Sequence, residues 1–375
     1  MLVDPLATLR GRRSAKWRTY PDDVLPLFVA EMDYPLAPPV AAALHAAVDA
    51  SDTGYSLANP DLGVALSGFA ARHWGWEVDP GSVTAVADVG VGVVELLRVL
   101  TRPADTVVIS PPVYPPFFHW APEAGARLRE VPLTEEFRLD LPALEAAFAA
   151  HPAVYVLCNP HNPVGRVHTR EELTALVRLA RLYSVTIVSD EIHAPLVLPG
   201  AEFTPLLSIP GAGEVAVSVL SASKGFNLAG LKCAAIVTGA PATAALVGRF
   251  PPDVRWRTGH LGVLATVAAF TDGDAWLAEL HSELDARRAQ LGHLLRTRLP
   301  AVRWRAPEAT YLAWLDCRAL GRDDEPQELF LAKGRVAVEP GTRFGAAGAG
   351  HVRLNFATSA EILDEATARM ASTTG

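Results

Sequence analysis

The sequence predicts an α/β fold in which a mostly parallel, doubly wound sheet forms a large domain and a smaller α+β domain follows. Three observations predict it. From about Val83 to Gly239, short β-branched runs alternate with helical stretches, the pattern of parallel strands joined by crossover helices. After Ala275 the texture changes to a long charged helix, Trp276 to about Leu299, and then to strand-like Thr310–Asp316 and His351–Phe356 around a Gly-rich turn, Gly341–Gly350. At 375 residues the chain also exceeds a single typical core. The expected division gives residues 45–275 to the large domain, and residues 1–44 and 276–375 to an N-terminal segment plus the small C-terminal domain.

The strands expected in the large domain are Val83–Ala87, Thr106–Ser110, Ala153–Cys158, Thr186–Ser189, Val215–Leu220 and Cys233–Thr238, each a short run rich in aliphatic and β-branched residues. Between the third and fourth, Thr169-Arg-Glu-Glu172 has the spacing of a capping box and opens an amphipathic run to Tyr183, which makes a βαβ crossover. The Pro-rich patch at 111–118 follows a strand directly and reads as a shaped loop rather than a polyproline ligand. Alanine-rich helices fill most of the remainder.

Half the residues are apolar and the formal charge is −8, without a basic cluster that could neutralise a run of phosphates. Nucleic acid and anionic membrane surfaces are therefore not expected partners. No apolar stretch reaches the roughly 18 residues that suggest a bilayer span, and the start lacks the apolar core of a signal peptide, so a cytoplasmic protein is expected. Cys158, Cys233 and Cys317 are far apart and show no metal-site spacing. They read as buried, reduced thiols, with a secondary role left open for Cys158 because it borders the motif described next.

In an open α/β sheet, ligands gather at the carboxyl ends of the strands. Here those ends carry unusual polar groups: Tyr114, the run Asn159-Pro-His-Asn162-Pro-Val-Gly165, Asp190-Glu-Ile-His193, and Ser221-Ala-Ser-Lys224-Gly225. An aromatic plate, an amide, a carboxylate and an amine offered to one crevice suit pyridoxal 5′-phosphate (PLP), whose aldehyde needs an amine and whose ring nitrogen needs an anion. Lys224 would hold the cofactor as a Schiff base, Asp190 would pair with the ring nitrogen, Asn162 would bond the phenolic oxygen, and Tyr114 would stack on the ring. Ser221 and Ser223, with the backbone N–H groups of Val89 and Gly90 at a helix start, would cradle the phosphate.

Each residue also has a plainer reading. Taken singly, Lys224 is a solvated charge, Asp190 a helix cap, Asn162 part of a turn, Tyr114 a packed loop aromatic, and Arg353 an exposed strand charge. Their company reverses this. His193 reads as a histidine behind the first layer of contacts, with an auxiliary role near the ring oxygen. No metal is expected.

These residues resemble the PLP-dependent class I/II aminotransferase-like family, in its MalY/PatB-type cystathionine β-lyase (C–S lyase) branch. The resemblance spans nearly the whole chain: Leu25-Pro-Leu-Phe-Val-Ala-Glu-Met-Asp33-Tyr, Gly54-Tyr55, Asn162-Pro-Val-Gly165, Ser189-Asp-Glu-Ile-His193, Ser223-Lys-Gly-Phe-Asn-Leu-Ala-Gly230, Thr310-Tyr-Leu-Ala-Trp-Leu-Asp316 and Val352-Arg-Leu-Asn355. It implies PLP fold type I, the aspartate-aminotransferase fold. It also implies that Arg353 clamps the substrate α-carboxylate, that the backbone around Ala30 and the amide of Asn162 face substrate, and that Tyr55 reaches the phosphate of a neighbouring subunit in an obligate homodimer with shared sites. Catalysis would rest on Lys224, Asp190 and Tyr114.

The chain departs from the branch at three kinds of position. Glu31 and Phe28 replace the Asp and Trp usual in the N-terminal signature. Lys232 stands where many relatives have a phosphate-binding Arg. Asp88 stands where relatives mostly place Gly or Ser, and its carboxylate would repel a phosphate dianion unless it turns away or pairs. The reaction implied is α,β-elimination from cystathionine or another S-substituted L-cysteine, giving a thiol, pyruvate and ammonia. The rivals are transamination, a specialised elimination in secondary metabolism, and a regulatory role through a protein partner.

Overall fold

The computed structural model describes residues 3–56, 60–321 and 325–374; residues 1, 2 and 375, at the outer bounds of the expected division, lie outside them. The N-terminal segment docks through a two-residue strand, Leu25–Pro26, paired in parallel with Val336–Ala337. A buried ion pair holds it. Lys16 Nζ lies 2.8 Å from Asp33 Oδ2, both side chains are 1% exposed, and Trp17 Nε1 donates to Asp33 Oδ1 at 3.0 Å. Helices α1 (Pro38–Asp49) and α2 (Pro60–Trp74) follow.

The large sheet is built from β1 (Val83–Val86), β2 (Thr106–Ile109), β3 (Arg127–Glu130), β4 (Val154–Cys158), β5 (Thr186–Asp190), β6 (Ala216–Leu220) and β7 (Ala234–Thr238), in the order β1-β7-β6-β5-β4-β2-β3. All of its pairings are parallel except those of β7, which runs against β1 and β6. Helix α3 (Val89–Leu100) follows β1 and α4 (Arg170–Tyr183) joins β4 to β5. The capping box opens α4 as expected: Thr169 Oγ1 accepts from Glu172 N, and Glu172 Oε2 accepts from Thr169 N at 2.7 Å.

Side chains alternate across the sheet with the two-residue period of a strand. Val107, Ile109, Val156, Val188 and Val219 pack with α3 on one face, while Val108, Tyr155, Leu157 and Ile187 pack with α4 on the other. Both faces are covered, so the inner strands are mostly apolar, with Ser189, Asp190 and Ser218 as buried exceptions.

Helices α5 (His260–Asp272) and α6 (Asp274–Arg298) lead into a four-stranded antiparallel sheet, ordered β10-β11-β9-β8, of β8 (Arg303–Trp304), β9 (Leu312–Asp316), β10 (Glu339–Pro340) and β11 (His351–Asn355). Helix α7 (Ala360–Ser372) closes the chain. One core runs from Leu9 and Trp17 through α5 and α6 to Leu315, Leu354 and Met370, and so ties the N-terminal segment to the small sheet.

The strands expected in the large domain form within one residue of their expected ends, and the long helix begins at Asp274 instead of Trp276. Thr310 and Tyr311 lie before β9, because Thr310 takes φ +73°, a left-handed conformation no strand continues. Arg127–Glu130 was not expected as a strand. It is the sheet's edge, largely exposed and charged, so it lacks the apolar signature of its neighbours.

Candidate active site

The carboxyl ends of β2, β4, β5 and β6, the end of β1 and the start of β7 open onto one cleft of about 450 Å³. It is lined by Lys224, Asp190, Asn162, Tyr114, His193 and Arg353, and at one end by Val89, Gly90, Ser223 and Lys232. Asp190, Asn162, His193 and Arg353 are each under 5% exposed. The amine and carboxylate that were expected to bracket one ring therefore share one cavity.

Lys224 sits in the turn Ala222–Gly225 directly after β6. Gly225 is required there, since a Cβ would come 2.8 Å from Pro195 Cβ, two residues after His193. Gly165, at φ +66°, ends the Asn162 motif where a Cβ would lie 2.4 Å from Pro307 Cβ.

Lys224 Nζ donates to the Ala30 carbonyl at 2.9 Å, and Tyr311 Oη donates to the same oxygen at 3.0 Å. The strap bearing Ala30 is held by amides. Asn355 Nδ2 donates to Val29 O at 2.8 Å and Glu31 O at 2.6 Å, while Asn227 bonds both N and O of Met32. Sequence reasoning gave Tyr311, Asn227 and Asn355 no role, although all lie within motifs it singled out; a side chain that bonds a distant backbone leaves no local pattern.

Arg353 Nη1 donates to Asn162 Oδ1 at 3.1 Å and Nη2 to Phe28 O at 2.9 Å, with the guanidinium 4.9 Å above the Phe344 ring. Glu339, opposite Arg353 in the β10–β11 register, is bonded by Arg343; both line the cleft, and neither carried a sequence signal.

Burial governs the protonation of these groups. It lowers the Lys224 pKa to about 8, with the Arg353 charge adding to the effect. It raises Asp190 to about 7, against the opposing bond from Ile192 N and the Lys224 charge. His193 is pushed down to about 3 by burial and then by Lys224 and Arg353, and its Nδ1 is buried without a partner. Burial also raises Tyr114 and lowers Arg353 from their usual values. Next to Asp190, the buried Glu191 is raised to about 7 by burial and accepts from Leu206 N and Ser189 Oγ, outside the cleft.

Ser221 is placed differently from its expected role, and the surroundings of Tyr55 and Lys232 qualify theirs. Ser221 does not line the cleft: its oxygen accepts from Ser223 N at 3.0 Å and its hydroxyl donates to Cys233 O at 2.7 Å, so it caps the Lys224 turn and has no proton left for a phosphate. Tyr55 is 84% exposed and outside the cleft. Lys232 lines the cleft, but its ammonium lies 3.0 Å from Asp88 Oδ2. Asp88 also caps α3 by accepting from Val91 N at 2.8 Å, so the carboxylate that looked misplaced in sequence is paired.

The donor set fits PLP. Lys224 offers an amine to the aldehyde; Asp190 is a buried carboxyl whose desolvation a cation would offset; the Asn162 amide is oriented by Arg353 through Oδ1, which leaves Nδ2 as its donor. The first N–H groups of α3, at Val89 and Gly90, have no acceptor within the helix and can receive a phosphate. Among the described residues no cluster of His, Cys, Asp and Glu could hold a metal ion.

A Mycobacterium leprae protein that bears cystathionine beta-lyase as a provisional name is 49% identical, over 96% of this chain and 95% of its own. Cystathionine beta-lyase PatB of Bacillus subtilis is 35% identical over 96% of each chain. The crystal structure of a Corynebacterium diphtheriae protein, described provisionally as a PLP-dependent beta-cystathionase, superposes with TM-score 0.96 at 34% identity and covers 100% of this chain and 99% of that one. The profile of one family, aminotransferase class I and II, matches residues 22–370, nearly the full length. Fold, cleft and sequence agree, and the chain belongs to the aminotransferase class I and II family.

Proposed function

We propose that this protein is a PLP-dependent carbon–sulfur lyase that performs α,β-elimination on cystathionine or another S-substituted L-cysteine. The observation that carries this reading is the convergence of Lys224, Asp190, Asn162 and Arg353 on one buried cleft, in a chain whose relatives bear cystathionine beta-lyase names at up to 49% identity. PLP, when bound, supplies an electron-poor ring that accepts the negative charge left on the substrate's Cα.

The chain's own residues supply the rest. Asp190 would hold the ring-nitrogen end of the cofactor with its buried carboxyl, and Tyr114 and the amide of Asn162, which line the same cleft, would hold the ring. The fork of Arg353 binds the α-carboxylate and so fixes which Cα bond stands ready to break. Lys224, with its pKa near 8, is partly neutral at physiological pH; its amine would anchor the cofactor, and its free Nζ would remove the Cα proton and return a proton to the departing sulfur. His193 stays neutral and serves as a hydrogen-bonding wall. With one water the balance closes: the thioether gives thiol, pyruvate and ammonia.

The same proposal makes the protein a cytoplasmic homodimer with shared sites, Tyr55 reaching the partner's phosphate. Tyr55 packs edge-on against Trp256 with centroids 5.8 Å apart, both exposed, and Val48 and Val64 are 58% and 60% exposed on α1 and α2. Free, buried Cys158, Cys233 and Cys317 suit a reducing compartment, and no helix among the described residues is long and apolar enough to cross a membrane.

Incubation of the purified protein with L-cystathionine tests the reading. Pyruvate and a free thiol are expected in equal amounts. Accumulation of pyridoxamine phosphate without thiol would assign the chain to transamination instead.

A further inference from the structure

The Asp88–Lys232 pair lies at the end of the cleft where the α3 N-terminus offers its free amides. Asp88 is fixed from both sides, Oδ1 accepting from Val91 N at 2.8 Å and Oδ2 lying 3.0 Å from Lys232 Nζ. Both residues line the cleft beside Val89, Gly90 and Ser223. Their charges reach into it weakly: behind burial, Arg353 and Asp190, Asp88 acts on Tyr114, and behind burial, Arg353, Glu31 and Asp190, Lys232 acts on Lys224. That end of the cleft thus holds one largely exposed cation and one carboxylate fixed by its cap bond.

We propose that Asp88 competes with the cofactor's phosphate for the ammonium of Lys232, and is a positioning residue that weakens the grip on the phosphate and keeps the cofactor exchangeable. This rests on the PLP reading of the cleft. The pair is 58% and 38% exposed, and an exposed ion pair is weak, so a phosphate dianion held by the α3 amides takes the ammonium over. Asp88 cannot leave with it. Its Oδ1 remains bonded to Val91 N, and its charge then faces a dianion across a few ångströms, where repulsion outweighs any benefit from steering the lysine.

The test titrates PLP and pyridoxal, which lacks the phosphate, into cofactor-free wild type, Asp88→Asn, Lys232→Met and the double variant, following absorbance. Asparagine keeps the helix cap and the shape and removes only the charge. Asp88→Asn is expected to tighten PLP roughly tenfold at low salt, with a smaller gain at high salt, and to leave pyridoxal unchanged. Lys232→Met is expected to cost more in the Asp88→Asn background than in wild type, because there the ammonium has no other partner. Unchanged or weaker PLP affinity in Asp88→Asn, or an equal shift for pyridoxal, overturns the proposal while the cofactor reading stands. A wild-type protein that takes up no PLP overturns both.

Discussion

Arg353 Nη1 donates to Asn162 Oδ1 at 3.1 Å, so the guanidinium at the wall of the cleft and the amide at its centre form one hydrogen-bonded unit. A substitution at either position disturbs both. Arg353→Lys keeps the charge but loses the fork, since an ammonium cannot span Asn162 Oδ1, Phe28 O and a carboxylate together. Losing a charge-assisted hydrogen bond costs about 1.5–3 kcal/mol, so KM for L-cystathionine should rise about tenfold to a hundredfold. Steady-state kinetics read this directly, and an unchanged KM would remove Arg353 from carboxylate binding.

The Lys224 amine is depressed to about pKa 8 by burial and then by Arg353. Only the neutral amine can bond to an aldehyde, and its fraction grows about tenfold per pH unit below that pKa. Covalent capture of PLP by cofactor-free protein should accelerate from about pH 6 to about pH 8 and then level, as stopped-flow absorbance would show. Lys224→Ala should bind PLP without the covalent absorbance band. A rate flat across that range, or an unchanged band in the variant, removes Lys224 from its role.

Asp190 is raised to about 7 by burial, so in the cofactor-free protein the native state binds its proton more tightly than the unfolded chain does. That contribution to stability is fully present below the unfolded value near 4 and is lost as pH rises through about 7. Asp190→Asn removes the titration. Its melting temperature without cofactor should exceed that of wild type at about pH 8, and the difference should vanish near pH 4. With cofactor it should retain PLP while turnover falls about a hundredfold or more, because the ring loses its anionic partner. Near-normal turnover would count against the pairing.

The difference between Asp190 and Asn355 shows what was legible in sequence. Asp190 ends β5, Asn162 and Lys224 lie in the turns just after β4 and β6, and the parallel register of these strands brings their ends together, so strand recognition alone gathers the site. Asn355, Tyr311 and Asn227 act on the strap at residues 29–32, which lies far from each of them in sequence. No periodicity links such partners. Ser221 misled for the opposite reason: its place in the Ser-x-Ser-Lys turn is equally right for a cap, and the nearby Cys233 carbonyl decided its use. Asp88 was read as a conflict because its partner, Lys232, is 144 residues away.

Lys16 and Asp33 are each 1% exposed and 2.8 Å apart, with Trp17 Nε1 on the second carboxylate oxygen. Removing one member strands the other charge in the core, which costs about 3–5 kcal/mol, whereas replacing both by apolar residues leaves no buried charge and only the Trp17 Nε1 donor without its acceptor. Asp33→Ala should therefore lower the urea midpoint of the protein sharply, and Lys16→Met combined with Asp33→Leu should recover most of the loss. If the double substitution is as unstable as the single one, the pair contributes through specific geometry rather than through charge.

Tyr55 tests the proposal that the protein is a homodimer with shared sites. In one chain it is 84% exposed and does not line the cleft, so a contribution to cofactor binding can come only from a second copy. Lys224→Ala and Tyr55→Ala homodimers should both be impaired, the first because the amine is gone and the second because the phosphate loses a hydroxyl. A hybrid of the two has one site with both defects and one whose Lys224 comes from the Tyr55→Ala subunit and whose Tyr55 comes from the Lys224→Ala subunit. That second site is intact. Mixing, denaturing and refolding the two impaired proteins should therefore restore up to about half of wild-type activity per hybrid dimer, from its one repaired site of two. If Tyr55 served its own subunit, the hybrid would contain no site with both residues and nothing would be rescued.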